Sequence, residues 1–277
     1  MTVSATASSP PAFVDFRSVW LAYDEAQAAA GRFAVEDITL QVHEGEFIAI
    51  VGPSGCGKST FMKLATGLVR PTRGEVVVGG QPVTGPLKIS GMAFQAPSLL
   101  PWRSTLRNVL LPLEIVEPYR SQFKQRREEF EAKARALLAS VGLAGYEDKF
   151  PWQLSGGMQQ RASICRALIH EPRMLLLDEP FGALDAFTRE DLWCTLRDLQ
   201  ATQRFTVILV THDLRESVFL ADTVYVMSKG PGRFVARREI DLPRPRDLDM
   251  TYTPAFVEIV HELRRHIGAA RAMKETV

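Results

Sequence analysis

The stretch GPSGCGKST, residues 52–60, constrains this chain more than any other. It fits G-x-x-x-x-G-K-[ST], follows the apolar run EFIAIV (46–51) and opens the helix-like STFMKLATGL (59–68). A buried strand that feeds a glycine-rich turn and then a helix lets backbone N–H groups converge on phosphate oxygens. In such a loop Gly52, Pro53, Ser54, Gly55, Cys56 and Gly57 shape the cradle. Lys58 reaches the β- and γ-phosphates, Ser59 places its hydroxyl on Mg²⁺, and Thr60 adds further donors. The chain is therefore expected to fold as an α/β nucleotide-binding protein.

A matching metal site lies downstream. MLLLDE (174–179) is an apolar run ending in two acids. A buried strand of this kind delivers Asp178 to its C-terminal end, where nucleotides bind in parallel sheets. Asp178 would hold Mg²⁺ through water, and Glu179 would orient or deprotonate an attacking water. LSGGMQQR (154–161) raises a question of its own. Ser155 can cap a helix whose first turn, at Gly156 and Gly157, offers free N–H groups and the positive end of a dipole. That is a second phosphate grip in a chain that already has one.

The rest of the chain fits the same class. From about residue 13 to 91 strands dominate, with DITLQVHEGEFIAIV (37–51) turning at Glu44-Gly45. A helical insert follows over about 96–170, in which FKQRREEFEAKARALLASVGL (123–143) has helical spacing and a solvated charged face. FTVILVTHD (205–213) is another buried strand, reached through the helix AFTREDLWCTLRDLQATQ (186–203). The expectation is a parallel-sheet P-loop core, an N-terminal antiparallel β-subdomain and an inserted α-helical subdomain. The ATPase domain would span 13–240, with a helical extension over 241–277 and a disordered Ser/Thr/Ala/Pro lead-in over 1–12.

Bulk composition narrows the function classes. With 33 basic and 32 acidic residues, net charge is +1, and no basic excess suggests nucleic-acid binding. No apolar run approaches the ~18 residues of a membrane span, and the N-terminus lacks the features of a secretory signal. Any membrane role would come through partners. Cys56, Cys165 and Cys194 have no metal-ligand spacing and suggest free thiols. Cys56, near Lys58 and a helix N-terminus, is either a thiol of lowered pKa or an unreactive loop residue.

Taken together, GPSGCGKST, AFQ (93–95), LSGGMQQR, MLLLDEP, GALD (182–185) and VTHD (210–213) occur in the order that resembles the ATP-binding cassette family, the ATPase subunits of ABC transporters. The resemblance covers about 13–229. It implies a cytoplasmic ATPase using ATP and Mg²⁺, working as a head-to-tail dimer with each ATP between one subunit's P-loop and the other's LSGG helix. The second grip would then belong to the partner subunit's ATP. By the same resemblance Gln95 lies near Mg²⁺ and the water, His212 bonds the γ-phosphate and orients Glu179, and Asp185 reaches across the dimer. The adenine would stack on Tyr23, with Phe33 as rival. The signature reads LSGGM where many relatives have LSGGQ; its contacts use the Ser155 hydroxyl and backbone, so Met158 leaves them intact.

The resemblance also implies partners: two transmembrane permeases, docked near SLLPWRSTLRN (98–108), and an extracytoplasmic binding protein, placing the chain peripherally on the cytoplasmic face of the inner membrane. Trp102 either anchors that docking with Arg103 or lies in the insert's own core. FQAPSLLPWRSTLRNVLLPLEI and MSKGPGRFV look like the nitrate, sulfonate and taurine importers. Riboflavin or pyrimidine-precursor importers are the near alternative. A soluble ABC ATPase of DNA repair or translation is the alternative of another class, opposed by the lack of a long heptad run and of a second cassette. His43, His170, His261, His266, Met62, Met158, Met174 and Met227 read as surface or packing residues.

Overall fold

Five consecutive side chains, Phe47 to Val51, are each at most 1% exposed, and the strand they form is the middle of the structure. The computed structural model describes residues 11–272, so all but the last two positions of the expected lead-in lie outside the described residues. The strands are β1 (Val14–Leu21), β2 (Val35–Val42), β3 (Phe47–Val51), β4 (Arg73–Val78), β5 (Gln81–Pro82), β6 (Ser90–Phe94), β7 (Met174–Asp178), β8 (Thr206–Thr211), β9 (Thr223–Met227) and β10 (Phe234–Glu239). The helices are α1 (Glu25–Ala29), α2 (Lys58–Ala65), α3 (Thr105–Leu110), α4 (Tyr119–Gln122), α5 (Arg127–Ser140), α6 (Gly156–Leu168), α7 (Ala186–Gln203), α8 (Leu214–Leu220) and α9 (Pro254–Ala272).

One sheet has the order β10-β9-β3-β8-β7-β6, parallel apart from β10. Both of its faces are covered, as continuous apolar strands require. Phe47, Ala49 and Val51 join the core beneath the helices, whereas Ile48 and Ile50 join the core shared with α2 and the second sheet. That second sheet, β2-β1-β4-β5, is antiparallel throughout. Helices α3 to α6 are inserted between β6 and β7, which are themselves neighbours in register. The result is the expected α/β fold with an antiparallel N-terminal sheet.

The helix expected over 123–143 is shorter. Tyr119 and Phe123 pack on Phe130, with ring centroids 6.0 and 5.8 Å away, which turns the chain between α4 and α5. The helix α7, by contrast, has the bounds its pattern indicated, capped by Asp185 and ended by Arg204 in the left-handed region.

Two buried ionisable groups secure α8. At its start Glu216 is 2% exposed and faces Thr211, Asp213, Arg189 and Trp193. Burial, reinforced by Asp213, pushes its carboxyl from 4.5 up to about 8, against the opposing pull of Thr211, Arg189 and Trp193. At its end Arg246 is 1% exposed. Its Nη1 donates to the carbonyls of Val218, Phe219 and Ala221 at 2.9, 3.1 and 2.7 Å, and Nη2 to that of Ile240 at 3.1 Å. The C-terminal segment thus caps the helix that follows VTHD.

Glu216 holds its proton when folded to about pH 8 but releases it near 4.5 when exposed. Its contribution to stability is complete below the lower value and lost as pH rises through the upper one. Glu216→Gln is therefore expected to flatten the fall in Tm between roughly pH 4.5 and 8, read by thermal unfolding; parallel curves would contradict this. Arg246→Ala leaves four buried carbonyls short of a donor and is expected to cost about 3 kcal/mol in denaturant unfolding.

Candidate active site

The strand register gathers the motifs along one edge. Val51 pairs with Thr211 and with Val226, Asp178 with Val210, and Phe94 with Asp178. The residues that follow these strand ends are therefore Gly52, His212, Glu179 and Gln95. Gly52 to Gly57 then turn into α2. Gly57 takes φ +105°, and a Cβ there would lie 2.8 Å from Val35 Cγ1, so only glycine closes the loop. Lys58, 7% exposed, donates from Nζ to the carbonyls of Gly52 at 3.0 Å and Pro53 at 3.2 Å. Its ammonium is thereby held inside the loop. Ser59 is exposed and Thr60 buried at the first turn of α2.

Two sequence expectations change here. Cys56 is 1% exposed, and burial pushes its thiol up, overriding the opposing pull of Lys58. The reactive, lowered-pKa alternative is overturned, because loss of hydration outweighs the nearby cation. Trp102 is 71% exposed, so it does not belong to the insert's own core. The two aromatic candidates also separate. Tyr23 is exposed and its hydroxyl lies 2.7 Å from Thr60 Oγ1, beside the P-loop helix. Phe33 packs edge-on to Trp20 at 5.0 Å, with the Arg73 guanidinium 5.4 Å from its ring.

Glu179 is in the left-handed region at φ +47°, with its N–H donating to Val210 O at 2.8 Å. Such a backbone costs a non-glycine residue about 1 kcal/mol. The turn brings Glu179 Oε2 to 3.0 Å from His212 Nδ1. Gly182 stands behind them: a Cβ there would lie 3.4 Å from Gln95 Nε2 and 3.8 Å from His212 Cε1. Burial, with Glu179 adding like charge, pushes the Asp178 carboxyl up, while Lys58 and the Ser59 hydroxyl pull it down. A carboxylate and a hydroxyl near excess negative charge suit a hard divalent cation such as Mg²⁺. Among the described residues no group of three or more His, Cys, Asp or Glu could hold a metal, so nucleotide oxygens and water would complete the shell.

The second grip stands apart from the first. Ser155 caps α6, its Oγ accepting from Met158 N at 3.3 Å, and Gly156 is exposed. Among the described residues no hydrogen bond or ion pair joins 155–157 to 52–60. Gly157 instead meets the GALD helix, where an added Cβ would lie 2.3 Å from Thr188 Cγ2. Asp185 caps that helix by accepting from Thr188 N at 3.0 Å, and the Thr188 hydroxyl together with this N–H holds its carboxyl below the usual range. The half-buried side chain of Met158 packs against the main core. Sequence reading passed over Arg189, which bridges Asp213 and Leu184; no motif marks an arginine at that position.

The profile described as ABC transporter matches residues 35–182, more than half of the chain. The chain belongs to the ABC transporter ATP-binding family. Relatives of this cassette include the taurine import ATP-binding protein TauB of Yersinia pestis, 43% identical over 76% of this chain and 80% of that protein. The aliphatic sulfonates import ATP-binding protein SsuB of Bacillus licheniformis is 43% identical over 76% and 79%. Among solved structures, a dimeric post-hydrolysis ATP-binding cassette, MJ0796 bound to ADP and Pi, superposes with TM-score 0.67 at 29% identity, covering 83% of this chain and all of that one. The cassette is an ATPase, cleaving ATP to ADP and phosphate.

The two signature glycines give a test of ligand contact. Gly156→Ala meets nothing closer than Leu184 Cδ2 at 4.0 Å, whereas Gly157→Ala must displace Thr188. Gly157→Ala is expected to lower Tm. Gly156→Ala is expected to leave Tm unchanged yet cut ATPase activity at least about tenfold, because the methyl group would stand where the family resemblance places an approaching phosphate. Full activity in Gly156→Ala would place the phosphate elsewhere.

Proposed function

We propose that this cassette is the ATP-hydrolysing subunit of an ABC importer, energising uptake of a small anion of the taurine or sulfonate class through partner permeases. The observation that carries the catalytic reading is the convergence of the P-loop, Asp178, Glu179 and His212 on one sheet edge. The P-loop amides, Lys58 and Thr60 bind the ATP phosphates, and Tyr23 stacks on adenine. Ser59, Gln95 and water-bridged Asp178 hold Mg²⁺, which when bound neutralises phosphate charge. Glu179 orients or deprotonates the attacking water. His212 holds Glu179 through Nδ1, 3.0 Å from its Oε2, leaving Nε2 for the γ-phosphate.

Ser155, Gly156 and Gly157 have no partner in their own P-loop, which supports their binding the γ-phosphate held by a second copy of the chain. Asp185 then reaches toward that copy. Loss of the γ-phosphate removes this contact and opens the dimer. The dimeric relative solved with ADP and Pi supports such an assembly.

The import reading draws on the relatives' names. Among the described residues no helix is long and apolar enough to cross a membrane, which fits a peripheral subunit on the cytoplasmic face beneath two permeases, with an extracytoplasmic binding protein and no nucleic acid. Exposed Trp102 is the permease anchor. Its loop is fixed by buried Asn108, whose Nδ2 donates to Leu100, Arg103 and Ser104 carbonyls at 3.0–3.1 Å. Tagged protein recovered from gently solubilised native membranes is expected to bring a multispan permease with it. Trp102→Ala is expected to reduce that recovery about tenfold. Recovery of soluble proteins alone would leave the ATPase chemistry standing and overturn the transport role.

A further inference from the structure

The His212 side chain is 61% exposed, so packing does not hold it. Its aim depends on Glu179 and on the turn that carries it. That turn is well determined: Asp213 N donates to Thr211 Oγ1 at 2.9 Å, and Asp213 Oδ1 accepts from Arg215 N at 2.8 Å and Glu216 N at 3.3 Å. Wherever the Asp213 carboxylate goes, the backbone of His212 follows.

Asp213 is in turn held by Arg189. Nη1 donates to Asp213 Oδ2 at 3.0 Å, while Nη2 of the same planar group donates to Leu184 O at 3.0 Å. Leu184 directly precedes Asp185, and Asp213 directly follows His212. Two loops are thus joined through one rigid fork. Among the described residues Asp213 is the one carboxylate paired with Arg189. Glu216, which also faces the guanidinium, stays neutral until about pH 8 and does not compete.

The other end of this connection is the signature helix. Thr188, next to Arg189 in the first turn of α7, is the residue against which Gly157 packs and the one that Asp185 caps. The seam between α7 and α8 also has unused hydrogen-bonding capacity: Arg189 Nε is buried without a partner, and Trp193 Nε1 and Glu216 Oε1 face each other without a well-formed hydrogen bond. A seam that leaves such groups unpaired has alternative pairings within reach if the Asp213 contact opens.

We propose that Arg189 is a positioning residue that couples the signature-side half-site to the P-loop half-site of the same chain, by locking the GALD loop to the VTHD turn and so aiming His212. Displacement of the first α7 turn, when a phosphate seats on Gly156, is passed through Arg189 to Asp213 and His212. The proposal rests on the catalytic roles of Glu179 and His212 given above. The hydrogen bonds of Arg189 go to Asp213 and Leu184 O, outside the groups assigned to nucleotide and Mg²⁺, so its loss is expected to affect turnover and leave ATP binding alone.

The test uses steady-state ATPase kinetics of the full chain, with ATP affinity measured separately by a fluorescent ATP analogue. Arg189→Ala is expected to lower kcat about tenfold or more while KM and analogue affinity stay within about twofold. Arg189→Lys is expected to be intermediate, because one ammonium reaches Asp213 or Leu184 O without the planar fork that holds both. A wild-type kcat in Arg189→Ala, or a loss of affinity matching the loss in kcat/KM, overturns the proposal. Should Arg189→Ala fail to fold, Arg189→Lys carries the test: reduced kcat at unchanged KM supports the coupling and wild-type kcat overturns it. Glu179→Gln is the separate control. If it still hydrolyses ATP, the catalytic assignment itself fails; if it is inactive while Arg189→Ala turns over normally, only the coupling falls.

Discussion

The parallel register of β6, β7, β8 and β3 is the constraint on which the rest of this structure depends. Because Val51 stands beside Thr211, and Asp178 beside both Val210 and Phe94, four loops leave the sheet at one level. Each carries a different chemical group: an amide cradle with Lys58, a carboxyl pair, an imidazole and the Gln95 amide. A slip of one residue in any strand would exchange the side chains of its two packed faces and move its loop off this edge. The same side chains that make the strands apolar on both faces therefore place the reacting groups. Stability and positioning are one requirement here.

That edge is only half of what phosphate chemistry needs. The α6 terminus has the backbone donors and the capping serine of an anion site, yet its nearest structural commitment is to α7 through Gly157 and Thr188. A helix end aimed at nothing in its own chain is economical if a second copy supplies the phosphate. In the proposed dimer, a γ-phosphate held between two copies would close them, and hydrolysis would release them.

Much of this was legible in the sequence for a physical reason: strands buried on both faces and phosphate loops leave little freedom in residue type. GPSGCGKST, MLLLDE and the α7 pattern are each read directly from periodicity and glycine placement. What was not legible depends on distance in space. For Cys56 the sequence left both a lowered-pKa thiol, beside Lys58, and an unreactive loop residue open, and burial decides between them. The 123–143 pattern is helical by spacing, yet aromatic packing on Phe130 breaks it. The sequence favours Tyr23 over its rival Phe33 for the adenine; the contacts of Phe33 with Trp20 and of Tyr23 with Thr60 depend on the fold and could not be read from it. Arg189, Glu216 and Arg246 carry no motif, since their partners are backbone carbonyls or groups far along the chain.

The central claim is that two copies of this chain complete each ATP site. Sedimentation velocity of the Glu179→Gln protein, with and without Mg-ATP, tests it most directly, because blocked hydrolysis keeps the γ-phosphate in place. The account predicts a shift from the 30.9 kDa monomer to a species of twice that mass on adding ATP, reversed when ADP replaces it. A protein that binds ATP to saturation and still sediments as a monomer would contradict it.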